Sequence, residues 1–435
     1  MDSVVVGIIG ICFMVSLLLC GMPVAFSLIL AGFLGLLYLV GPSVALPQLH
    51  LRLYGVLSTP GYAVVPLFIL MAYLATVSGL TSEIYKSAEK WLRGVPGGLA
   101  MATIAGCAGF AAISGSSVAT AALMGKVAFP EMKRYNYDAS FAAGTIAAGG
   151  TLGFLIPPSI ALVIYGILAE VSVGKLLVAG IIPGIILAAS FIAIILFSVK
   201  MNPKLAPKFP GVAGWREKLL MLKSVWPVLL IFLLMIGGLY AGFFTPNEAG
   251  AAGAFGLLLV ALAKRKLSLS DFFDALKETM GATCMLFLIF WGAMLFGDFL
   301  SISGISTALI KGIGSLSVSP YIVFSLFVLF YIILGCFIEA VAMIIITMPI
   351  MLPVLQLLGF DPLWFGIILV LLVQAALITP PIGLNVYVVA GVTRDVPLMG
   401  IFRGAAPFLV GIIVVIAVLT AFPQIVLFLP NQMIR

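Results

Sequence analysis

Apolar runs long enough to span a bilayer follow one another along nearly the whole chain. They lie near residues 3–22, 23–40, 61–80, 138–168, 176–199, 225–243, 246–263, 279–302, 362–391 and 405–429. A helix crosses the hydrocarbon core in about 20 residues, so each run predicts a transmembrane helix. Two further apolar regions, about 95–130 and 319–359, are interrupted near their middles. Each follows a short amphipathic stretch, 81–93 and 304–317. Both read as re-entrant helical hairpins that enter and leave the membrane on one side. The longest polar segment, about Lys200 to Lys223, holds Pro203, Pro207, Pro210 and Gly211 and reads as a linker. The first run lacks a basic leading region and a small-residue cleavage site, so it reads as a retained transmembrane helix, not a signal peptide.

The punctuation of the first half returns in the second. Pro23, Pro96, Ser116, the pair Pro157 and Pro158, Gly180 and Pro183 are followed by Pro246, Pro320, Glu339, Pro380 and Pro381, Gly404 and Pro407, at steps of 223 or 224 residues. The fold class predicted is therefore an all-α polytopic membrane protein made of two repeats. The first covers 1–200, with its hairpin at about 95–130 and a broken helix at about 138–168. A cytoplasmic linker covers 201–224. The second repeat covers 225–435, with its hairpin at about 319–359 and a broken helix at about 362–391. Five crossings per repeat is an odd number, so the two are inverted in topology, a geometry that supports alternating access.

Charge tests this scheme. With the linker in the cytoplasm, Arg52, Lys175, Lys311 and Arg435 fall outside and the other 18 of the 22 lysines and arginines fall inside. That is a strong positive-inside bias, and it places both termini outside. It also accounts for the net charge of +7 without a nucleic-acid partner; the expected surroundings are membrane lipid. A chain of 435 residues that is 63% hydrophobic and 9% charged, with mean hydropathy +1.30, exceeds what a soluble domain carries. The single histidine, His50, lies in a predicted loop, which removes histidine-based metal sites and catalytic dyads from consideration. The five cysteines sit in apolar segments without a paired spacing and read as small core residues. Trp91, Trp215, Trp226 and Trp364 fall near predicted membrane edges and read as interfacial anchors.

Four segments carry candidate chemistry. The first hairpin tip is Ser114, Gly115, Ser116 and Ser117. Where the backbone leaves helical geometry inside a membrane, its freed N–H and C=O groups must face protein or a water-filled cavity. Small hydroxyl residues and glycine there let a solute approach; helix packing through small residues is the plainer alternative. The facing element holds Gly149, Gly150, Thr151, Gly153, Pro157, Pro158 and Ser159. Two prolines behind three glycines unwind a helix, freeing carbonyls for a cation such as Na⁺ and a half-helix N-terminus for an anion. Its second copy contains Thr379, Pro380, Pro381, Gly383 and Asn385. The second hairpin tip holds Gly335 and Glu339. A carboxylate there serves a coupling ion, caps the following half-helix, or does both. Asp298 lies near the outer end of its helix, within reach of the interface. Glu248 falls in the first turn of a helix that starts at Pro246.

These residues resemble a family. Ser114 to Thr120 (Ser-Gly-Ser-Ser-Val-Ala-Thr), Met124, Gly125, Pro130 to Met132, Tyr135, Gly153 to Ser159, Tyr165, Gly166 and Ala179 to Gly184 look like the large membrane subunit of tripartite ATP-independent periplasmic (TRAP) transporters. So do Phe244 to Ala251, Phe360 to Pro362, Phe365, Gly366 and Thr379 to Asn385, and together the motifs cover essentially the whole chain. The resemblance implies an elevator-type, sodium-driven importer of a small organic anion. It implies a periplasmic substrate-binding protein and a small four-helix membrane subunit as partners, residence in the bacterial inner membrane, and Na⁺ as coupling ion with no organic cofactor. Carried over by motif, one sodium site takes Ser114, Ser116, Gly150, Thr151 and Gly153, and the other Gly335, Glu339, Thr379 and Gly383. The substrate takes Ser116, Ser117, Pro157, Pro380 and Asn385. The chain departs from the family pattern at Glu339, where Asp is common, and at Ala376, where Gly is common, preceded here by Gln374.

Two other readings stand beside this one. An intramembrane serine hydrolase using Ser116 or Ser117 lacks a base, since His50 is in a predicted external loop. A stand-alone anion carrier of similar architecture, needing no binding protein, is compatible with the duplication and the charge pattern. No Walker-type phosphate loop is present in the sequence, in keeping with gradient coupling and a non-enzymatic role.

Overall fold

The computed structural model describes residues 2–207, 214–315, 319–335 and 338–433. The first half runs through α1 (Ser3–Leu19), α2 (Val24–Val40), α3 (Pro42–Ser58), α4 (Val64–Val77), α5 (Leu80–Leu92), α6 (Gly98–Ser114), α7 (Ser117–Arg134), α8 (Ala139–Thr151), α9 (Ile160–Leu168), α10 (Val173–Ala179) and α11 (Ile181–Met201). The second half follows as α12 (Trp215–Tyr240), α13 (Pro246–Ala263), α14 (Leu269–Ser303), α15 (Ile305–Ser315), α16 (Pro320–Gly335), α17 (Ala340–Leu357), α18 (Pro362–Ala376), α19 (Leu384–Thr393), α20 (Leu398–Ala421) and α21 (Gln424–Asn431). Among the described residues there is no strand. The architecture is that of an all-α polytopic membrane protein in two inverted repeats. Each has five spanning helices, one of them broken, and one re-entrant hairpin. The hairpins are α6–α7 and α16–α17; the broken helices are α8–α9 and α18–α19.

Seven helical stretches among the described residues are long and apolar enough to cross a membrane on their own. The arms of the broken helices are shorter, as their proline pairs require. Many large apolar side chains on α1, α2, α12 and α16 face outward, among them Ile8, Ile9, Leu19, Phe26, Leu229, Leu233, Leu326 and Ile333. In water that surface would drive aggregation; in a bilayer it is the lipid face. Burial concentrates instead on the first hairpin and on α8, α17 and α18. In α18 every residue from Leu363 to Ala376 is buried, and in α8 every residue from Phe141 to Thr151 is.

Local chemistry sets the helix starts. Thr245 and Glu248 form a reciprocal capping box with Pro246 in the first turn of α13, and Ser268 and Asp271 do the same for α14. The amphipathic α5 buries Leu80, Ile84 and Tyr85 and directs Lys86 and Lys90 away from that face. Glu83 on α5 pairs with Lys264 at the end of α13, tying this helix to the second half.

The structure corrects several sequence expectations. Residues 41–60 are not an open loop: most of them form α3, which carries His50 and Arg52. Arg52 on α3 makes a two-pronged ion pair with Asp298 on α14, both contacts 2.6 Å, so Asp298 has a protein partner as well as its place near the interface. Trp215 to Lys223, assigned to the linker, is already helix, and Trp215 stacks edge-on against Trp91 with the Lys218 ammonium over both rings. Lys208, Pro210 and Gly211 of the linker, and Arg435, lie outside the described residues. Trp364 is not an interfacial anchor. It is 2% exposed, stacks on Phe360 and donates its indole N–H to Leu419 O. Of the cysteines, Cys107 alone among those described is buried. Cys12, Cys20 and Cys284 are exposed on helix surfaces, where a lipid tail suits a thiol as well as a core does, and Cys336 lies outside the described residues.

Candidate functional site

The first hairpin turns at Gly115, whose φ of +61° ends α6 in a left-handed cap. Ser116 then starts α7, its hydroxyl accepting from Ala119 N. Thr120, one turn on, donates its hydroxyl to Ser116 O at 2.7 Å and lies 3.2 Å from the Ser114 hydroxyl. The tip therefore gathers Ser114 Oγ, Thr120 Oγ1 and Ser116 O into one cluster of uncharged oxygens, Ser114 and Thr120 buried and Ser116 half-buried.

The broken helix α8–α9 closes against this tip. A Cβ on Gly153 would sit 2.6 Å from Ser116 O and 2.9 Å from Thr120 Oγ1, and one on Gly150 would meet Ala121 at 2.7 Å. A Cβ on Gly115 would likewise strike Pro158 O, and Gly115 O accepts from Ile160 N. Only glycine allows the two backbones this approach. Between the halves, α8 ends in a single 3-10 turn (Leu152–Phe154), and Ser159 restarts the helix by accepting from Leu162 N while donating to Phe154 O. The structure thus brings Ser114, Ser116, Gly150 and Gly153 together. Thr151 is on the same helix turn, but its hydroxyl is spent on Ala148 O at 2.6 Å.

The second constellation is more open. Pro157 is buried, but its counterpart Pro380 is exposed, with Pro381 and Ile382. Both Pro–Pro peptide bonds are cis. Gly335 abuts Ala376 of α18 so closely that a Cβ on it would strike the alanine methyl. Gly383 (φ +50°) folds back so that a Cβ there would lie 3.1 Å from Thr379 O, so these two residues meet. Glu339 is not joined to them: among the described residues its carboxylate accepts only from Val341 N and Ala342 N, both at 3.0 Å, as the N-cap of α17. Of the neighbouring tip residues, Cys336 and Phe337 lie outside the described residues.

Ser117 and Asn385 join the two constellations. The Ser117 hydroxyl and the Asn385 amide exchange hydrogen bonds of 3.1 and 2.8 Å, and the amide also donates to Ala147 O at 3.0 Å. Both residues are fully buried. One contact therefore ties the first hairpin to both broken helices. The sequence motifs include Thr120 and Ser159 without giving either a role, and Ala147 falls outside them. The place of Thr120, four residues after Ser116 on a helix, was a usable signal; a backbone carbonyl such as that of Ala147 gives none.

Two hairpin tips facing two broken helices inside a frame of long apolar helices define a membrane transport protein. The model of the family described as tripartite ATP-independent periplasmic transporter, DctM component, matches residues 11–425, and the chain belongs to this family. Among its relatives, the C4-dicarboxylate TRAP transporter large permease protein DctM of Pseudomonas aeruginosa is 37% identical over 84% of this chain and 85% of that one. The sialic acid TRAP transporter large permease protein SiaM of Vibrio cholerae is 33% identical over 96% of each chain. The ectoine/5-hydroxyectoine large permease protein UehC of Ruegeria pomeroyi is 31% identical, again over 96% of each. Of solved structures, the YdaH transporter of Alcanivorax borkumensis shares the fold with a TM-score of 0.64 at 16% identity, covering 88% of this chain and 90% of that one. The chain is thus the large permease component of a transport system, not an enzyme.

Proposed function

We propose that this permease imports a small organic anion, a carboxylate, dicarboxylate or sugar acid, driven by Na⁺ moving down its gradient. The observation that supports this reading most is the first tip: a largely buried, uncharged set of hydroxyl and carbonyl oxygens between a hairpin and a broken helix. Oxygen donors of that kind suit a hard cation, and an uncharged cage holds the cation without trapping it. Ser114, Ser116, Gly150, Thr151 and Gly153 would hold one sodium ion. Gly335, Glu339, Thr379 and Gly383 would hold another once the second tip and its break come together. The anion would lie near Ser116, Ser117, Pro157, Pro380 and Asn385, where the N-termini of α9 and α19 offer positive dipole ends.

The hairpins and broken helices form the mobile unit of an elevator in this reading, and the outer helices of both repeats form its frame. The inverted repeats supply the two end states. A periplasmic binding protein delivers the cargo, and a small four-helix membrane subunit completes the frame in the inner membrane, with both termini of this chain on the periplasmic side. Two of the relatives carry names of acid transporters, for C4-dicarboxylates and sialic acid, which favours an acid here.

The test is uptake of radiolabelled organic acids into proteoliposomes holding this chain and its small partner, with and without binding protein and an inward sodium gradient. Uptake that requires both is the expected result. Uptake indifferent to sodium overturns the coupling, and uptake without the binding protein points to a stand-alone carrier.

A further inference from the structure

α18 is apolar from Leu363 to Ala376 except for Gln374, which is 0% exposed. Among the described residues, neither its Oε1 nor its Nε2 has a hydrogen-bond partner. Buried amides in proteins are almost always bonded, because an unsatisfied one loses its water without compensation. A leucine at this place would avoid that loss, so the amide calls for a partner beyond the described residues.

Its position narrows the choice. Gln374 stands 223 residues after Thr151, whose hydroxyl is satisfied within its own helix. It lies in the last turn of α18 before the second break. α18 packs on α9 and on the 3-10 turn of the first break, and Asn385, just past the second break, bonds Ser117 and Ala147 O beside the first, so α18 ends at a break that lies against the other. The half-helices α9 and α19 both begin at those breaks, and their N-termini favour an anion there. The second break is spanned by one backbone bond, from Asn385 N to Leu377 O, next to the exposed stretch Pro380 to Ile382.

We propose that Gln374 is a specificity-determining residue for the cargo, reached when the second break opens its turn. Nε2 donates to a carboxylate oxygen, and Oε1 accepts from a hydroxyl or amide N–H beside that carboxylate. An amide offers a donor and an acceptor side by side, so its complement is an acid that does the same. A bare carboxylate would leave Oε1 against a negative oxygen. The cargo class is thereby a hydroxy- or amido-substituted acid in preference to its unsubstituted analogue. This inference rests on the organic-anion reading above.

The experiment is thermal unfolding of the purified full-length protein in sodium-containing detergent buffer, as wild type, Gln374→Leu and Gln374→Glu. The probes are malate and succinate, which differ by one hydroxyl. Without ligand, Gln374→Leu is expected to raise the midpoint by about 2 °C, since it removes an unpartnered amide. Malate is expected to bind wild type at least about ten-fold more tightly than succinate, a preference lost in Gln374→Leu. Gln374→Glu is expected to lose the response to both acids. A lower midpoint for unliganded Gln374→Leu overturns the proposal, because the amide would then already be satisfied, by an enclosed water. A malate preference that survives Gln374→Leu overturns it as well. If neither acid shifts wild type, the organic-anion reading is weakened for acids of this size, and the unliganded comparison still decides whether the amide lacks a partner.

Discussion

Replacing Asn385 by Leu tests the contact that holds the two constellations together. The side chains share one branched heavy-atom skeleton, so no cavity forms and the polar loss is the main term. Asn385 is fully buried and exchanges hydrogen bonds with Ser117 while donating to Ala147 O. The substitution removes those bonds and leaves the Ser117 hydroxyl enclosed without its partner. Net bonds worth about 1 kcal/mol each, plus about 1–3 kcal/mol for the stranded hydroxyl, give a loss of roughly 2–4 kcal/mol. Ser117→Ala strands the Asn385 carbonyl and the amide N–H that faced Ser117, while the other N–H keeps Ala147 O, and should cost about 1–3 kcal/mol. The double variant removes both halves of the pair and should cost less than the sum of the singles by about 1 kcal/mol or more. The assay is equilibrium unfolding in mixed micelles against the mole fraction of dodecyl sulfate, with tryptophan fluorescence as the signal. Losses that add to within about 0.5 kcal/mol would refute the reasoning, since residues in one hydrogen-bonded pair do not act independently.

Three further outcomes follow from the same geometry. Gly153→Ala puts a methyl 2.6 Å from Ser116 O, where backbone cannot yield, and should lower uptake at least about ten-fold, whereas Gly281→Ala, with nothing within 4 Å, should leave it unchanged; equal uptake by both would show that the first tip does not need its close approach. Arg52→Met leaves the Asp298 carboxylate unpaired at a partly shielded site and should destabilise by about 1–2 kcal/mol, with the charge swap Arg52→Asp/Asp298→Arg recovering part of it; a swap no better than the single change would argue against the pair. The Asp395 carboxyl, bonded to Lys133 and drawn down by its charge, is held below the usual carboxylate value. Its contribution is therefore present above the unfolded value of about 3.9 and is lost only as pH falls through the lower folded value. Lys133→Gln should accordingly shift the unfolding midpoint equally at pH 5.5 and pH 8, and a difference that opens between those two pH values would contradict the assignment.

What the sequence revealed and what it hid divide along physical lines. Proline pairs and helix starts act on their own neighbours, so both helix breaks and the helix start at Pro246, with Glu248 in its first turn, could be read directly. α3 was hidden because Pro42–Ser58 is too polar for a span and contains Pro47, yet Arg52 gains a partner on α14 that no local pattern announces. Trp364 has the composition of an interfacial anchor, and only its stacking on Phe360 and its bond to Leu419 O make it core. Ser117 and Asn385 were each legible as polar residues at a break, but their pairing spans 268 positions and follows from how the halves fold together.

The comparison of the two tips carries this further. The duplication preserves backbone punctuation: a turn, a proline pair, a half-helix restarting on the far side. It does not preserve side chains. Ser116, whose carbonyl receives Thr120 and faces Gly153, is matched by Glu339, which caps α17 with its carboxylate, and Gly153 is matched by Ala376. A glycine at 153 lets one tip close backbone to backbone. The methyl at 376 already fills the space beside Gly335, so the second tip cannot approach its break in the same way. Closure there must use side chains, and the second half offers Glu339 and Gln374, longer polar groups, where the first has Ser116 and Thr151. Two copies of one frame have thus come to differ in what they can hold, an uncharged oxygen cage on one side and a carboxylate with an unpartnered amide on the other. In the proposed mechanism that asymmetry makes the two sodium sites unequal, the first a closed oxygen cage and the second dependent on the movement of its tip.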